Sequence, residues 1–159
     1  MDHLLKLLQA NARESDATLA KMLSLGEEEV AARIRAYEQE GVIRGYRAVL
    51  NEDLVEQDRV EAVIEVKLTP EREGGFDRLA LRVSRFPEVT AAFLMSGQAD
   101  LMLFVQGASL KDVASFVSEK LATIQGVTAT STAFRLKTYK NHGLLMESPD
   151  AYARLKVTP

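Results

Sequence analysis

The sequence contains no cysteine and only two histidines, His3 and His142. Without cysteine the chain has no disulfide, no thiolate-bound metal and no cysteine nucleophile. Two histidines so far apart in the sequence are also a poor set of metal ligands. We therefore expect neither a metal nor a cofactor.

Long apolar runs are missing as well. No run approaches the roughly 20 residues that cross a bilayer. The opening residues, Met1 to His3, begin neither a basic segment nor an apolar run with a cleavage site. These absences predict a soluble cytoplasmic protein with no membrane partner.

Residues 2 to 43 show helical spacing of apolar side chains in three short segments. Gly41 stands where the third segment should end, because glycine tolerates the backbone of a helix C-cap. Three short, tightly linked helices are typical of a helix-turn-helix. The residues from Val42 to Val49, with Gly45 at the bend, predict two short strands that would form a wing. The apolar positions of the three segments are Leu4, Leu5, Leu7 and Leu8; Leu19, Met22 and Leu23; and Val30, Ile34 and Tyr37.

The rest of the chain has a different pattern. Residues 51–58 are polar and acidic and predict a linker between domain 1–50 and a second domain, 59–140. Apolar alternation and helical spacing then predict strand, helix, two strands, helix and a strand from Val127 to about Tyr139. This βαββαβ order predicts a ferredoxin-like α/β sandwich, so the whole chain belongs to the α+β class. Residues 141–159 form a tail, which either packs on a neighbouring subunit or is disordered.

One predicted strand is apolar on both faces. Leu101, Leu103 and Val105 alternate with Met102 and Phe104, although helices can cover only one side of such a sheet. The simplest cover for the second side is the sheet of another subunit, packed with two-fold symmetry. The alternative is that the C-terminal tail covers Met102 and Phe104.

Several phrases of the sequence, in this order, resemble the leucine-responsive regulator/AsnC (Lrp/AsnC) family of transcriptional regulators. The resemblance extends to about residue 140. It implies an N-terminal winged helix-turn-helix that binds DNA, a RAM-type C-terminal domain that senses an amino acid, and dimers that often form octamers. The phrases are Leu23-Ser24, Val30, Arg33-Ile34, Glu38 and Glu40 to Tyr46; then Phe86 to Val89, Ser96-Gly97 with Asp100-Leu101, and Gly126-Val127 running to Thr132 and Lys140.

The predicted DNA-binding helix begins with Glu27, Glu28 and Glu29, which suit the helix dipole but face the phosphates of DNA badly. Residues 1 to 50 carry seven basic and eight acidic side chains, and the whole chain has a net charge of −3. Binding to double-stranded DNA therefore needs a local basic surface and several weak domains on one oligomer. The candidate contacts are Arg33, Arg35, Arg44 and Arg47; the alternative is that they are solvated or pair with nearby glutamates.

The turn from Ser96 to Asp100 is the candidate effector site. Its backbone N–H groups suit the carboxylate of an amino acid, and Asp100 suits the ammonium. The resemblance carries over to Gly97 and Asp100 best, and less closely to Ser96, Gln98, Ser131 and Thr132. Ala99 stands where the family usually has an aromatic residue, which implies an altered pocket. The alternative is an ordinary hairpin turn in which Gly97 has positive φ and Asp100 bonds its own backbone.

Two other functions compete with that of a regulator. The first is a ligand-binding or oligomerisation protein whose helix-turn-helix no longer binds DNA. The second is an enzyme similar to the sirohaem decarboxylases, which resemble this family and act on a tetrapyrrole. That chemistry needs histidines and other polar groups, and the scarcity of histidine favours a protein that is not an enzyme.

Overall fold

The structure is a computed structural model that describes residues 2–55, 59–70 and 75–146. Two units separate within the chain, Met1–Val49 and Leu50–Pro159. The part of the predicted tail that follows residue 146 lies outside the described residues. Among the described residues, no helix combines the length and the apolar character that a membrane crossing requires.

Three helices form the first unit: α1 (His3–Ala10), α2 (Asp16–Leu23) and α3 (Glu27–Gln39). The side chain of Asp2 caps α1 by accepting a hydrogen bond from the N–H of Leu4 at 3.3 Å, and that of Ser15 caps α2. The predicted apolar stripes meet in one small core, which confirms the three predicted helices. Its fully or nearly buried members are Leu4, Leu8, Leu19, Ala20 and Val30.

The predicted wing is wrong for this chain. No strand forms between Gly41 and Leu50, all of which are described. Gly41, at φ +72°, ends α3, and the N–H of Ile43 then bonds the carbonyl of Tyr37 at 3.0 Å. A two-residue hairpin turn needs positive φ, and Gly45 does not have it. The segment after Ile43 therefore forms no strand with the described residues of the chain.

The second unit is a four-stranded antiparallel sheet with two helices. Its strands are β1 (Val60–Leu68), β2 (Val89–Leu94), β3 (Leu101–Gly107) and β4 (Val127–Phe134), in the spatial order β2-β3-β1-β4. The helices are α4 (Asp77–Ser84) and α5 (Leu110–Ser115), which continues as a π-helix over Phe116–Leu121. This order confirms the predicted ferredoxin-like βαββαβ fold.

Both helices pack on the same face of the sheet. Alternate residues of β1, among them Ile64 and Val66, are fully buried against Leu79 and Val83 of α4 and against Phe116 after α5. Phe116 meets Phe86 edge to face, with ring centroids 5.6 Å apart. Ser109 caps α5 by accepting from the N–H of Asp112 at 3.1 Å, as its sequence predicts.

The last strand is shorter than predicted. β4 ends at Phe134, opposite Ala62, and the N–H of Arg135 makes one further bond to Glu61. Since β1 begins at Val60, the residues before Tyr139 have no ladder partner and leave the sheet. Two short strands follow, β5 (Lys140–Asn141) and β6 (Leu144–Leu145), joined by His142 and Gly143 at positive φ.

The segment that precedes β1 is bound to the second unit. Its described part contains a 3₁₀ turn over Glu52–Leu54. The side-chain amide of Asn51 donates to the carbonyl of Met146 at 2.6 Å. Arg135 pairs with both Glu52 and Glu61. The composition predicts that residues 51–54 are part of a linker. In the structure they pack against the second unit and form part of it.

Candidate functional site: a helix-turn-helix and a sensing loop

The turn between α2 and α3 fixes the helix-turn-helix. Ser24 takes a left-handed conformation, with φ 55° and ψ 42°, and its N–H bonds the carbonyls of Ala20 and Lys21. The N–H of Leu25 bonds Ala20 at 3.0 Å. Gly26 then starts α3 without a side-chain cap, and Glu27 to Glu29 occupy the first turn, where the helix dipole favours acids.

The outward face of α3 is small and sparsely charged. An α-helix turns by about 100° per residue, so residues spaced by three or four share a face. Val30, Ile34 and Tyr37 face the core of the first unit. On the opposite side lie exposed residues of which three are alanine or glutamine: Glu28, Ala32, Arg35, Ala36 and Gln39.

Arg33 and Arg35 differ in their surroundings although they are two residues apart. The guanidinium of Arg33 bonds the carboxylate of Glu29 at 2.7 Å, and the two side chains are 44% and 49% exposed. Arg35 is exposed and makes no ion pair within the described ranges of the chain. The alternative prediction, that these arginines pair with nearby glutamates, therefore holds for Arg33 and not for Arg35 among the described residues.

The other two candidate arginines follow α3. The guanidinium of Arg44 lies against Gly41, where a Cβ would stand 3.1 Å from its Cζ. This is the C-terminal end of α3, about 18 Å from its start at 1.5 Å per residue. A cation there interacts favourably with the helix dipole. Arg47 is exposed on the unpaired segment that follows.

A hydrogen bond between Tyr37 and Asp2 ties α3 to the beginning of α1. The hydroxyl of Tyr37 donates to the Asp2 carboxylate. This bond, followed by that from the N–H of Leu4, lowers the pKa of Asp2 from its ordinary value of 3.8. The same bond raises the pKa of Tyr37 above 10.0. The ionised carboxylate and the protonated phenol are thus the forms that hold the two helices together.

In the second unit, the residues from Ser96 to Asp100 form the turn between β2 and β3. Asp100 carries most of its hydrogen bonds: its N–H donates to Val66 at 3.0 Å and its carbonyl accepts from Met95 at 2.9 Å. Its carboxylate accepts from the N–H of Leu68 at 2.8 Å. One carboxylate oxygen thus holds the end of β1, and the other makes no bond within the described chain.

The tip of this turn has unused donors. The N–H groups of Ser96, Gly97 and Gln98 donate no hydrogen bond within the part of the chain that the structure describes. Gly97 does not have positive φ, and space is open where its Cβ would be. The predicted alternative of a glycine-dependent turn is therefore wrong in detail, as Asp100 bonds β1 rather than its own backbone. Ala99 is buried, so its methyl group fills the place next to Asp100.

The two remaining predicted effector residues, Ser131 and Thr132, lie on opposite faces of β4. Ser131 pairs with Glu65, whose side chain faces away from the helices, whereas Thr132 pairs with the buried Ile64. Successive residues of a strand alternate between faces. One chain therefore cannot bring both side chains into a single pocket with the Ser96–Asp100 turn.

The face of the sheet that the helices leave uncovered is apolar near its centre. Phe104 of β3 is 38% exposed and Phe93 of β2 is 52% exposed. Their rings meet edge to face, with centroids 5.9 Å apart. Met102 and Val63, both half-buried, flank them. We call these four residues the aromatic face.

These two units define a class of protein: a helix-turn-helix joined to a ferredoxin-like domain. Residues 3–38 match the AsnC-type helix-turn-helix domain and residues 61–145 match the Lrp/AsnC ligand binding domain. The chain belongs to the Lrp/AsnC family of transcriptional regulators, as its sequence predicts. It is thus a transcriptional regulator with a DNA-binding helix-turn-helix and a ligand-binding domain, and not an enzyme.

Individual relatives extend over nearly the whole chain. The HTH-type transcriptional regulator YugG of Bacillus subtilis is 42% identical over 157 residues, which are 98% of this chain and 95% of that protein. The leucine response regulatory protein of Mycobacterium tuberculosis has the same fold, with a TM-score of 0.72 at 22% identity over 92% of this chain and 100% of that one. The transcriptional regulator NMB0573 of Neisseria meningitidis, solved as a complex with L-methionine, is also similar in fold. Its TM-score is 0.64 at 24% identity, over 96% of this chain and 99% of that one.

Sequence reasoning missed two features of these sites. The outward face of α3 follows from helical spacing alone, but Ala32, Ala36 and Gln39 carry no charge and so draw no attention. The bond between Asp2 and Tyr37 joins residues 35 positions apart, and no local pattern marks it.

The bond between Asp2 and Tyr37 makes the stability of the first unit depend on pH. Because the pKa of Asp2 is lowered by folding, its contribution is complete above the ordinary value of 3.8 and is lost as the pH falls through the folded value. Because that of Tyr37 is raised, its contribution is complete below 10.0 and is lost as the pH rises further. We expect Tyr37→Phe to lower the unfolding temperature at neutral pH, and the difference from wild type to vanish in strong acid.

Thermal unfolding followed by circular dichroism across this pH range checks the prediction. Tyr139→Phe removes a hydroxyl from an exposed tyrosine of the second unit and serves as the control. An equal loss of stability in Tyr37→Phe at every pH would contradict the assigned role of the Asp2 carboxylate.

Proposed function

We propose that the protein binds specific double-stranded DNA sequences through the outward face of α3. The observation that carries this proposal is the composition of that face, on which small side chains surround Arg35 and Gln39. Alanine contacts the methyl group of thymine, arginine pairs with guanine and glutamine pairs with adenine in the major groove. Small side chains also let a helix approach the base edges closely.

The four arginines then have different tasks. Arg35 breaks no ion pair with a described residue when it reaches a base. Arg33 must leave Glu29, but an exposed ion pair of this kind contributes only about 0.2–1 kcal/mol, so a phosphate can replace the carboxylate. Arg44 and Arg47, beyond the end of α3, are proposed as phosphate contacts.

Acidic first-turn residues weaken each individual contact with DNA. Glu27, Glu28 and Glu29 are all exposed, and the chain has a net charge of −3. We therefore propose that binding depends on several helix-turn-helix units held on one oligomer, whose joint affinity exceeds that of each. The protein would act in the cytoplasm, where it meets the DNA.

Arg35→Ala is the sharpest test of this surface. We expect it to weaken binding to an enriched genomic site about tenfold and to relax the preference for the contacted base, since a base contact of arginine contributes about 1–3 kcal/mol. Arg85→Ala, which removes an exposed arginine from the second unit, is the control and should bind normally. Fluorescence anisotropy at several salt concentrations measures both.

The competing function, a protein with an inactive helix-turn-helix, predicts a different result. Genomic fragments would then show no enriched site even at low salt. Equal binding by wild type and Arg35→Ala to an enriched site would place the contact elsewhere.

We propose that the effector is an amino acid bound at the Ser96–Asp100 turn. The N–H groups of Ser96, Gly97 and Gln98 would hold its carboxylate, and the Asp100 oxygen that makes no bond with a described residue would hold its ammonium group. Ser131 shares the side of the sheet that faces away from the helices, and Thr132 would contribute only from a neighbouring subunit. The family supports a ligand at this domain, and the related Neisseria regulator was crystallised with L-methionine.

Asp100→Asn separates the charge of this residue from its structural bond. Asparagine keeps an oxygen for the N–H of Leu68, so we expect an almost unchanged unfolding temperature. A hydrogen bond between charged groups contributes about 1.5–3 kcal/mol, and its loss should weaken amino-acid binding at least tenfold. Titration calorimetry with the common amino acids, L-methionine and L-leucine first, measures this; Asp112→Asn on α5 is the control.

If the wild-type protein binds none of the amino acids, the proposal of an amino-acid effector is wrong. Unchanged binding in Asp100→Asn would instead move the ammonium contact away from this turn.

We propose that two copies pack their aromatic faces together and that such dimers assemble further, as far as octamers. Phe93, Phe104, Met102 and Val63 form a continuous apolar patch at the centre of a sheet, and such patches mark interaction surfaces. The described tail to Met146 covers neither ring, so the alternative cover is not supported by these residues. Leu136, Tyr139, Leu144 and Leu145, all exposed, offer further apolar contacts for assembly.

Phe104→Arg should convert the assembly to a smaller species. A guanidinium buried in an apolar interface without a partner costs several kcal/mol, enough to dissociate dimers at micromolar concentration. Leu81→Arg, at an exposed leucine of α4 on the opposite side, is the matched control. Light scattering gives the mass, and circular dichroism verifies the fold; a wild-type monomer would contradict the dimer.

A further inference from the structure

A groove opens beside α4, away from the aromatic face. Its volume is about 570 Å³ and its described lining includes Thr69, Arg82, Gln125 and Gly126. Pockets for small molecules usually measure about 300–1,000 Å³. The groove is thus large enough for a metabolite.

The floor of the groove is held by close contacts. Gly126 has φ +97°, and a Cβ on it would stand 2.7 Å from Cδ1 of Leu79. Only glycine allows α4 and the start of β4 to approach so closely. The N–H of Thr69 donates to the carbonyl of Gly126 at 2.8 Å, which joins the end of β1 to the same point. The floor is therefore formed without a ligand.

The charged groups of the described lining are both positive. Arg78 and Arg82 stand one turn apart on α4, and the described lining contains no aspartate or glutamate. Arg78 has an interaction of its own, whereas Arg82 makes no ion pair among the described residues. An anion can therefore reach Arg82 without displacing a described partner.

We propose that this groove binds a small organic anion with a carboxylate or phosphate group, and that Arg82 is its main contact. A guanidinium fits either group with two parallel hydrogen bonds. The hydroxyl of Thr69 and the amide of Gln125 supply further donors, while Leu79 offers apolar contact to the remainder of the molecule.

This site is separate from the Ser96–Asp100 turn but adjoins it through β1. The carboxylate of Asp100 accepts the N–H of Leu68, and Thr69 is the next residue. The groove therefore gives the second unit a place for an anion in addition to an amino acid, and its occupancy does not depend on the proposed effector.

Titration calorimetry of the full-length protein with succinate and with inorganic phosphate tests the proposal. We expect saturable millimolar or tighter binding of at least one probe, and which one binds tells carboxylate from phosphate recognition. Arg82→Gln should weaken this binding at least tenfold, since it removes a charge-assisted bidentate contact. Arg85→Gln, on the same helix but outside the lining, should bind as wild type.

Two results would overturn the groove as an anion site. One is the absence of saturable binding of both probes. The other is binding that Arg82→Gln leaves unchanged, which would place the anion elsewhere on the protein. If Arg82→Gln melts at the same temperature as wild type, unfolding is excluded as the cause of lost binding. If it does not fold, Arg82→Lys is used instead, because it keeps the charge and should retain part of the affinity.

Discussion

The second unit depends on the requirement that β1 be hydrogen-bonded along both edges. β1 lies between β3 and β4, and Ile64 and Val66 are completely buried on one face. Buried backbone groups without a partner are costly, so the end of the strand needs partners too. The register shifts between Lys67 and Leu68, and the Asp100 carboxylate and the Gly126 carbonyl then take the next two N–H groups.

This requirement brings the proposed sites of the second unit to one end of the sheet. Asp100 is fixed by β1, so the N–H groups of the preceding turn, which bond no described residue, have a defined position. Gly126 is fixed in the same way and forms the floor of the groove beside Arg82. Rigid strand ends thus position loop residues whose polar groups remain available, which is a common arrangement for binding sites.

The first unit solves a different problem with fewer contacts. Its core contains five buried side chains, and the bond between Tyr37 and Asp2 adds a polar tie between helices that are distant in sequence. Helix α3, which we propose as the DNA-binding helix, carries acids in the first turn, and these interact favourably with the helix dipole at the expense of attraction to phosphate. The proposed oligomer would offset a modest affinity of each helix-turn-helix by combining several of them.

Local patterns in the sequence located the helices and strands but not all of their ends. The wing and the last part of β4 were predicted from apolar and β-branched residues, yet strands require a partner as well as a suitable composition. No described strand of the chain pairs with the segment around Gly45, and β1 begins too late to pair with residues after Arg135. In the candidate sites, the Ser96–Asp100 turn and the arginines were found from residue type and spacing. The partners of these residues could not be predicted from the sequence. Arg33 has several glutamates nearby, and the Asp100 carboxylate could accept from several N–H groups; the structure pairs them with Glu29 and with the N–H of Leu68.

The sequence by itself determined the order of elements, the two-part organisation and the apolar character of both faces of β3, since helical spacing and strict alternation are local properties of the chain. Only the tertiary structure decided which arginine of α3 pairs with a glutamate, which oxygen of Asp100 bonds β1, and that Ser131 and Thr132 face opposite ways. It also formed the groove beside Arg82 from residues of three elements. Such features depend on which groups distant in sequence come into contact when the chain folds, and local periodicity in the sequence does not specify those contacts.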